Sequence, residues 1–275
     1  MIGVFSRARP LLGTMITLRI GETHDRAAME NMTEQAFALI GHIGEIMSAH
    51  APGSDLGRMS RARAHEVLTL DAHTVTVLGA AQYWTRRSGG AFHPGRAGRT
   101  LARLGARPGL NADVCAQASI SDIDILSDRH VKMPSSLSLD LGGIAKGYAV
   151  DQAALCLMQQ GVSSALINAG GDIRIVGHRA WSVEVRHADR HLRDRVLMKG
   201  KRMSEGAMAT SVADSHETEF VQTTVRGCST WRNATVIAQD CMTADVLTKW
   251  ALQSSLLCPS LKSALREHHA SMWRD

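Results

Sequence analysis

The residues best suited to chemistry lie in the run Asp140-Leu141-Gly142-Gly143-Ile144-Ala145-Lys146-Gly147-Tyr148. Two adjacent glycines let a backbone pass close to a ligand. A helix beginning near Ile144 would turn its first N–H groups into the same space, where they favour anions. Lys146 adds a mobile positive charge within that first turn. This is the chemistry of a diphosphate cradle, although the run is neither a Walker sequence nor a G-x-G-x-x-G fingerprint. A tight turn beside a solvated lysine has the same spelling, and on these residues alone the two readings stand level. Asp151, further along the same helix, reads by itself as a surface carboxylate. Asn168-Ala169-Gly170-Gly171-Asp172 is a second glycine turn, and by itself a hairpin tip. A third group is Thr243-Ala244-Asp245-Val246-Leu247-Thr248-Lys249. Thr243 can cap a helix, which places Asp245 in its first turn as a partner of the helix dipole. Asp245 becomes a ligand of a hard cation such as Mg²⁺ only if a carbonyl or hydroxyl oxygen converges on it.

Positioning these groups requires regular elements on either side. Ser138 to Leu141 reads as the end of a strand, and Ile144 to Gln160 as a helix stopped by Gly161. Ser164 to Asn168 and Asp172 to Val176 read as strands around the Gly170-Gly171 turn, with Trp181 to Arg186 as a further strand. Thr235 to Ala238 reads as a strand and Thr243 to Leu256 as a helix, followed by a last helix from Ser260 to His269. Upstream, Met15 to Ile20 alternates as a strand does. His24 to Met47 carries Ala28, Met32, Ala36, Leu39, Ile43 and Ile46 at helical spacing. Ser54-Asp55 can start a short helix, and Asp71 can cap one over Ala72 to Arg87 that Ser88-Gly89-Gly90 ends. Residues 95–118 show no period and read as irregular. Strand runs mixed with helix runs, without strict βαβ alternation, predict an α+β fold.

The bulk of the chain narrows the choice of function. With 275 residues it can bury a core without staples. Aromatic residues are only 4%, too few for a base-stacking platform, and a net charge of +5 suits an anionic ligand without implying nucleic acid. Five cysteines with no C-x-x-C pair support neither a disulfide framework nor a zinc site, and read as free, mostly buried thiols. No run of about 18 apolar residues predicts a membrane span. No apolar stretch follows Arg7 and Arg9 as a signal peptide would need, so the chain as given reads as cytoplasmic, though a trimmed chain would read the same. The stretch Arg179 to Arg202 holds eight Lys and Arg residues, read as a solvated loop or twisted hairpin. A docking face for an acidic acceptor protein is the other reading.

Taken in order, these segments resemble the ApbE-type FAD:protein FMN transferases. The resemblance rests on Leu12-Gly13-Thr14, Ser54-Asp55-Leu56, Gly90-Ala91-Phe92, Asp140 to Asp151, Asn168 to Ile173, Ala209-Thr210-Ser211 and Thr243-Ala244-Asp245. It implies a single ApbE-like domain over residues 1–275, with mixed sheets flanked by helices and the active site in a cleft between two lobes. It implies cleavage of FAD at its diphosphate, transfer of FMN to a threonine or serine hydroxyl of an acceptor protein, and release of AMP. The acceptor would be a flavoprotein subunit, as of a redox-driven membrane complex, and the family is often periplasmic or membrane-anchored. By matching position, Gly13, Thr14, Asn168, Gly170, Gly171 and Ser211 would line the flavin pocket. Asp140, Gly142, Gly143 and Lys146 would hold the diphosphate. Asp245, the Gly143 carbonyl and Thr248 would hold Mg²⁺. Lys146 and His216 would be the catalytic side chains, His216 as the base for the acceptor hydroxyl.

The chain also departs from the family's pattern. Lys249 stands where many members carry a threonine that completes the metal site, with Thr248 one residue early. An ammonium has no lone pair to offer a cation, and can take the metal's place electrostatically. The usual His-His-Ile-Ile-Asp-Pro-x-Thr-Gly segment is replaced by the run from His216 to Gly227, with Asp214 as the other candidate base. His93 replaces a usual aspartate, and Gly95 stands where a threonine is common. Two functions follow: an active flavin transferase, or a flavin-binding relative that no longer transfers FMN and acts as carrier, sensor or scaffold.

Overall fold

Alternating and β-branched runs become strands here, and apolar runs of helical period become helices. The structure is a computed structural model that describes residues 3–21, 25–95, 119–186, 196–212, 231, 233–255 and 258–274. In chain order the elements are β1 (Val4–Leu11), β2 (Thr14–Gly21), α1 (Arg26–Ile46), α2 (Asp55–Met59), β3 (Val67–Thr69) and α3 (Ala72–Arg87). A 3-10 turn (Ile120–Asp122), β4 (Asp124–Ile125), β5 (His130–Lys132), α4 (Ala145–Gln159), β6 (Ser164–Ala169), β7 (Asp172–Gly177) and β8 (Trp181–Arg186) follow. The chain closes with β9 (Val196–Met203), β10 (Gly206–Val212), β11 (Asn233–Ala238), α5 (Cys241–Leu252), α6 (Pro259–Glu267) and β12 (Ser271–Arg274). Two compact units form, one from Met1–Gly41 with Lys146–Asp275 and one from His42–Ala145. Among the described residues no helix is long and apolar enough to cross a membrane.

The first unit is built on a seven-stranded sheet in the order β1-β2-β6-β7-β10-β11-β12, antiparallel at every pairing. Because side chains alternate across a strand, register assigns each residue a face. Ile16, Leu18 and Ile20 pair with Ala169, Ile167 and Ala165, and all six are fully buried or nearly so. The same row continues through Asp172, Arg174 and Val176 to Ala207, Ala209 and Ser211, then to Ala234, Val236 and Ala238. α5 packs on β10 and β11 across this row, and the small alanines let it approach closely. The opposite row, Leu166, Ile173, Ile175 and Met208, buries itself against Trp181, Val183, Val185 and Met203 of the β8–β9 hairpin. β6 is thus covered on both faces, and each of its residues except Asn168 is buried.

The second unit holds a three-stranded sheet in the order β3-β5-β4, beside α2 and α3. Its turns are fixed by short polar side chains. Ser54 Oγ accepts from Gly57 N at 2.9 Å to cap α2, and Asp71 Oδ1 accepts from His73 N at 2.8 Å to cap α3. Asp55 Oδ2 takes the Asp71 amide at 2.9 Å and so ties the two caps together. Gln82 Nε2 donates to the carbonyls of Ile120 and Ile123 and holds the 3-10 turn against α3.

The α+β expectation holds, and α3 and β8 run over the residues expected of them. Ser138 to Leu141 is a correction: it joins no sheet among the described residues. Asp140 N donates instead to Pro94 O at 3.1 Å, and Leu137 N, just before the segment, to Met59 O at the end of α2 at 3.2 Å. The basic stretch forms the expected hairpin of β8 with β9, while residues 187–195 lie outside the described residues, as do 96–118 of the segment read as irregular. Of the thiols, Cys241 is buried and Cys156 and Cys258 are half-buried; Cys115 and Cys228 lie outside the described residues.

Candidate active site

Two tight turns meet at one end of the seven-stranded sheet. β1 and β2 are joined by Leu12 and Gly13, at φ +53° and +71°, and β6 and β7 by Gly170 and Gly171, at φ +65° and +110°. Both are two-residue hairpins with positive φ at both positions, the geometry that matches strand twist. Asn168 Oδ1 accepts from Gly171 N at 2.9 Å and fixes the second turn. A side chain on Gly170 would stand 2.5 Å from Thr14 Oγ1, so the two turns are in contact. Among the described residues a side chain on Gly13 or Gly171 would meet nothing within 4 Å, so both backbones border open space there. Ser211, near the end of β10, lies at the same end of the sheet. The sequence-assigned flavin residues Gly13, Thr14, Asn168, Gly170, Gly171 and Ser211 therefore gather at one sheet end.

Beneath the Gly170-Gly171 turn lies a group of four charges. Lys146 Nζ is 3.3 Å from Asp172 Oδ2, and Lys249 Nζ contacts Asp245 Oδ1 one helical turn away. Asp245 is fully buried and Asp172 nearly so. Burial works against the charge of Lys146, but the carboxylates of Asp245 and Asp172 outweigh it and raise the pKa above its ordinary value. Burial, then the charge of Asp245, pushes Asp172 up to about 6 against the pull of Lys249 and Lys146. With both carboxylates ionised, two positive and two negative charges cancel.

The N-termini of α4 and α5 cap each other. Asp151 of α4 accepts from the Cys241 and Met242 amides at 2.9 and 2.8 Å, satisfying the first two donors of α5. Asp245 Oδ2 accepts from Gly147 N, in the first turn of α4, at 3.3 Å. Asp151 is therefore no surface carboxylate. Arg174 Nε lies 3.6 Å from it, and burial pushes its pKa up to about 7 against the two amides. Among the described residues Arg174 Nη1 is buried without a hydrogen-bond partner. Two further expectations need correcting. Asp240, not Thr243, caps α5, by accepting from Thr243 N at 2.7 Å. Asp245 consequently falls beyond the first turn, where its burial and not the helix dipole decides its role. The first-turn amides of α4 are also not all open to a ligand, since Ala145 N donates to Leu141 O and Gly147 N to Asp245.

In the second unit, Asp140 Oδ1 accepts from Gly142 N at 2.8 Å and closes the turn that leads to α4. Gly142 and Gly143 follow it there, two and three residues from Asp140. Thr248, fully buried, donates its hydroxyl to the Asp245 carbonyl at 2.6 Å and lies 2.6 Å from Ser211 Oγ. Both hydroxyls are thus engaged with the protein. His216 and Asp214 lie outside the described residues. Asp172 received no site role from the sequence and Lys249 only that of taking the metal's place, yet both complete the charge group. The signal for Asp172 was its parity: two residues before Arg174 and four before Val176, it shares their face.

The donor set does not fit a divalent cation. Mg²⁺ requires about six oxygens at about 2.0–2.1 Å, usually with one or two carboxylates free to bind it. Here one Asp245 oxygen faces an ammonium, the other accepts an amide, and its carbonyl accepts the Thr248 hydroxyl. Among the described residues no three His, Cys, Asp or Glu side chains are grouped to hold a metal.

The sequence model of the ApbE family matches residues 12–255. A curated relative, the FAD:protein FMN transferase of Treponema pallidum, is 26% identical over an alignment of 208 residues that covers 68% of this chain and 55% of that protein. The chain spans about half the length of the curated relatives it matches. The flavin transferase ApbE of Vibrio cholerae superposes with a TM-score of 0.77 at 20% identity, covering 100% of this chain and 94% of that one. The ApbE protein of Thermotoga maritima gives a TM-score of 0.80 at 20% identity, over 99% and 94%. These two likenesses establish the fold.

Proposed function

This chain belongs to the ApbE family, and from that membership we propose that it is an FAD:protein FMN transferase. FAD is the donor. A serine or threonine hydroxyl of an acceptor protein bonds to the phosphorus of the FMN half, the diphosphate P–O bond breaks, and AMP leaves. The observation that carries this reading is the gathering of two open glycine turns at one sheet end, with the half-buried Lys146 held by Asp172 next to the second turn. Gly13 and Gly171 offer backbone without side chains to a flat ring, and Thr14, Asn168, Gly170 and Ser211 frame it. Lys146, held in place by Asp172, supplies positive charge for the diphosphate and for the charge that develops on departing AMP. Asp140, Gly142 and Gly143 stand immediately before it in the chain and complete the diphosphate segment. His216 is proposed to take the proton of the acceptor hydroxyl. The acceptor is a flavoprotein subunit, as of a redox-driven membrane complex. Mg²⁺ held by Gly143, Asp245 and Thr248 is the family's expectation, but the engaged oxygens of Asp245 and Thr248 do not suit it.

The test mixes the purified protein and FAD with an acceptor bearing a serine or threonine flavinylation motif, and measures the acceptor's mass. A gain of one FMN, with AMP released in equal amount, is expected. Tight FAD binding without any adduct would leave only the flavin carrier or scaffold.

A further inference from the structure

Asp245 and Lys249 sit one turn apart on α5, with the carboxylate wholly buried and the Lys249 side chain three-quarters covered. A buried carboxylate needs a partner of opposite charge to stay ionised. Lys249 is in direct contact with it, and Lys146 contributes a second positive field. The remaining oxygen takes the Gly147 amide. The Thr248 hydroxyl is engaged with the Asp245 carbonyl and with Ser211 Oγ. A divalent cation entering this group would displace the ammonium and add charge to a set already neutral.

We propose that Lys249 is the protein's own cation at Asp245, standing where a divalent metal would otherwise bind. The free protein then has no tight Mg²⁺ or Mn²⁺ site at Asp245. Lys249 is a positioning residue: its ammonium fixes Asp245, and Asp245 in turn fixes the Gly147 amide beside Lys146. The consequence for catalysis rests on the flavin-transferase reading; the binding claim does not.

The experiment titrates the full-length protein, without FAD, with Mn²⁺ followed by electron paramagnetic resonance, and repeats it on K249T. The substitution removes the ammonium and places a hydroxyl one turn from the carboxylate. The wild type is expected to show no site tighter than about 1 mM, and K249T to bind at least about tenfold more tightly. A stoichiometric micromolar site in the wild type, lost in D245N, overturns the proposal. So does a folded K249T that gains nothing. If K249T does not fold, the wild type decides through its melting temperature, which should be equal in EDTA and in millimolar Mg²⁺. A cation-dependent rise that D245N abolishes refutes the claim. With FAD and acceptor, adduct formation should survive chelation within about threefold. Absence of adduct in every condition would sink the transferase reading and leave the Mn²⁺ titration readable.

Discussion

Lys146 owes its position to one carboxylate, and that dependence is open to measurement. Asp172 has been lifted by burial to about 6, above the 3.8 of an unburied aspartate. Between those values the folded state holds a proton that the unfolded state has released. Stability from this group therefore falls as pH rises from about 4 to about 6, then levels. Lys146 opposes the lift, so K146M should move Asp172 higher still and extend the fall toward neutral pH. At pH 8 the variant leaves a buried carboxylate short of its partner. The expected cost is about 2–3 kcal/mol, below that of a wholly buried pair because Lys146 is a third exposed. At pH 5, where Asp172 is largely protonated, the loss should be smaller. Thermal melts at the two pH values read the difference directly. Equal losses would mean that Lys146 packs there without serving Asp172.

The close approach of α4 to α5 depends on one residue without a side chain. A Cβ on Gly147 would stand 2.5 Å from the Cys241 carbonyl oxygen and 2.8 Å from the Met242 Cα, both backbone atoms that cannot swing away. G147A should therefore destabilise by about 2 kcal/mol or more, despite the roughly 1 kcal/mol that alanine gains in a helix. Gly79 of α3 is the control, because its Cβ would meet only the tip of Ile125 at 3.6 Å. G79A should be neutral or stabilising by up to about 1 kcal/mol in the same denaturant series, and equal costs at both positions would disprove the contact argument. At this scale the sequence was readable wherever one local signal decided the outcome. Asp71 announced the start of α3, and paired glycines announced the β6–β7 turn. Reading failed where a distant partner decided. Ser138 to Leu141 alternates like a strand but joins no ladder among the described residues, and Asp140 N is taken by the Pro94 carbonyl instead. Asp151 looks solvated until the amides of α5, ninety residues away in sequence, are laid against it. Short strands such as β3 and β12 carry too few residues to show a period, and their sheets exist only in three dimensions.

The sheet turns these local devices into a whole with a stable centre and a working end. β6 and β7 have hydrogen-bonded neighbours on both sides, whereas β1 and β12 are edges. Trp273 on β12 remains exposed under Lys201, 5.3 Å above its ring. Amides of β6 and β7 should accordingly exchange slowest in the free protein, and those of β12 among the fastest of the sheet. FAD, if it binds as proposed at the sheet end where the turns meet, should change this pattern selectively. Exchange at Leu12–Thr14, at Gly170–Gly171 and at the first turn of α4 should slow by roughly tenfold or more, because opening those segments would release the ligand. The β8–β9 hairpin covers the opposite face through Leu166, Ile175 and Met208. Its exchange should stay within about twofold of the free protein. Hydrogen-exchange mass spectrometry with and without FAD resolves these segments in one experiment. Protection on the hairpin and none at the glycine turns would place the flavin elsewhere and remove the basis for assigning Gly13, Asn168 and Gly171 to it.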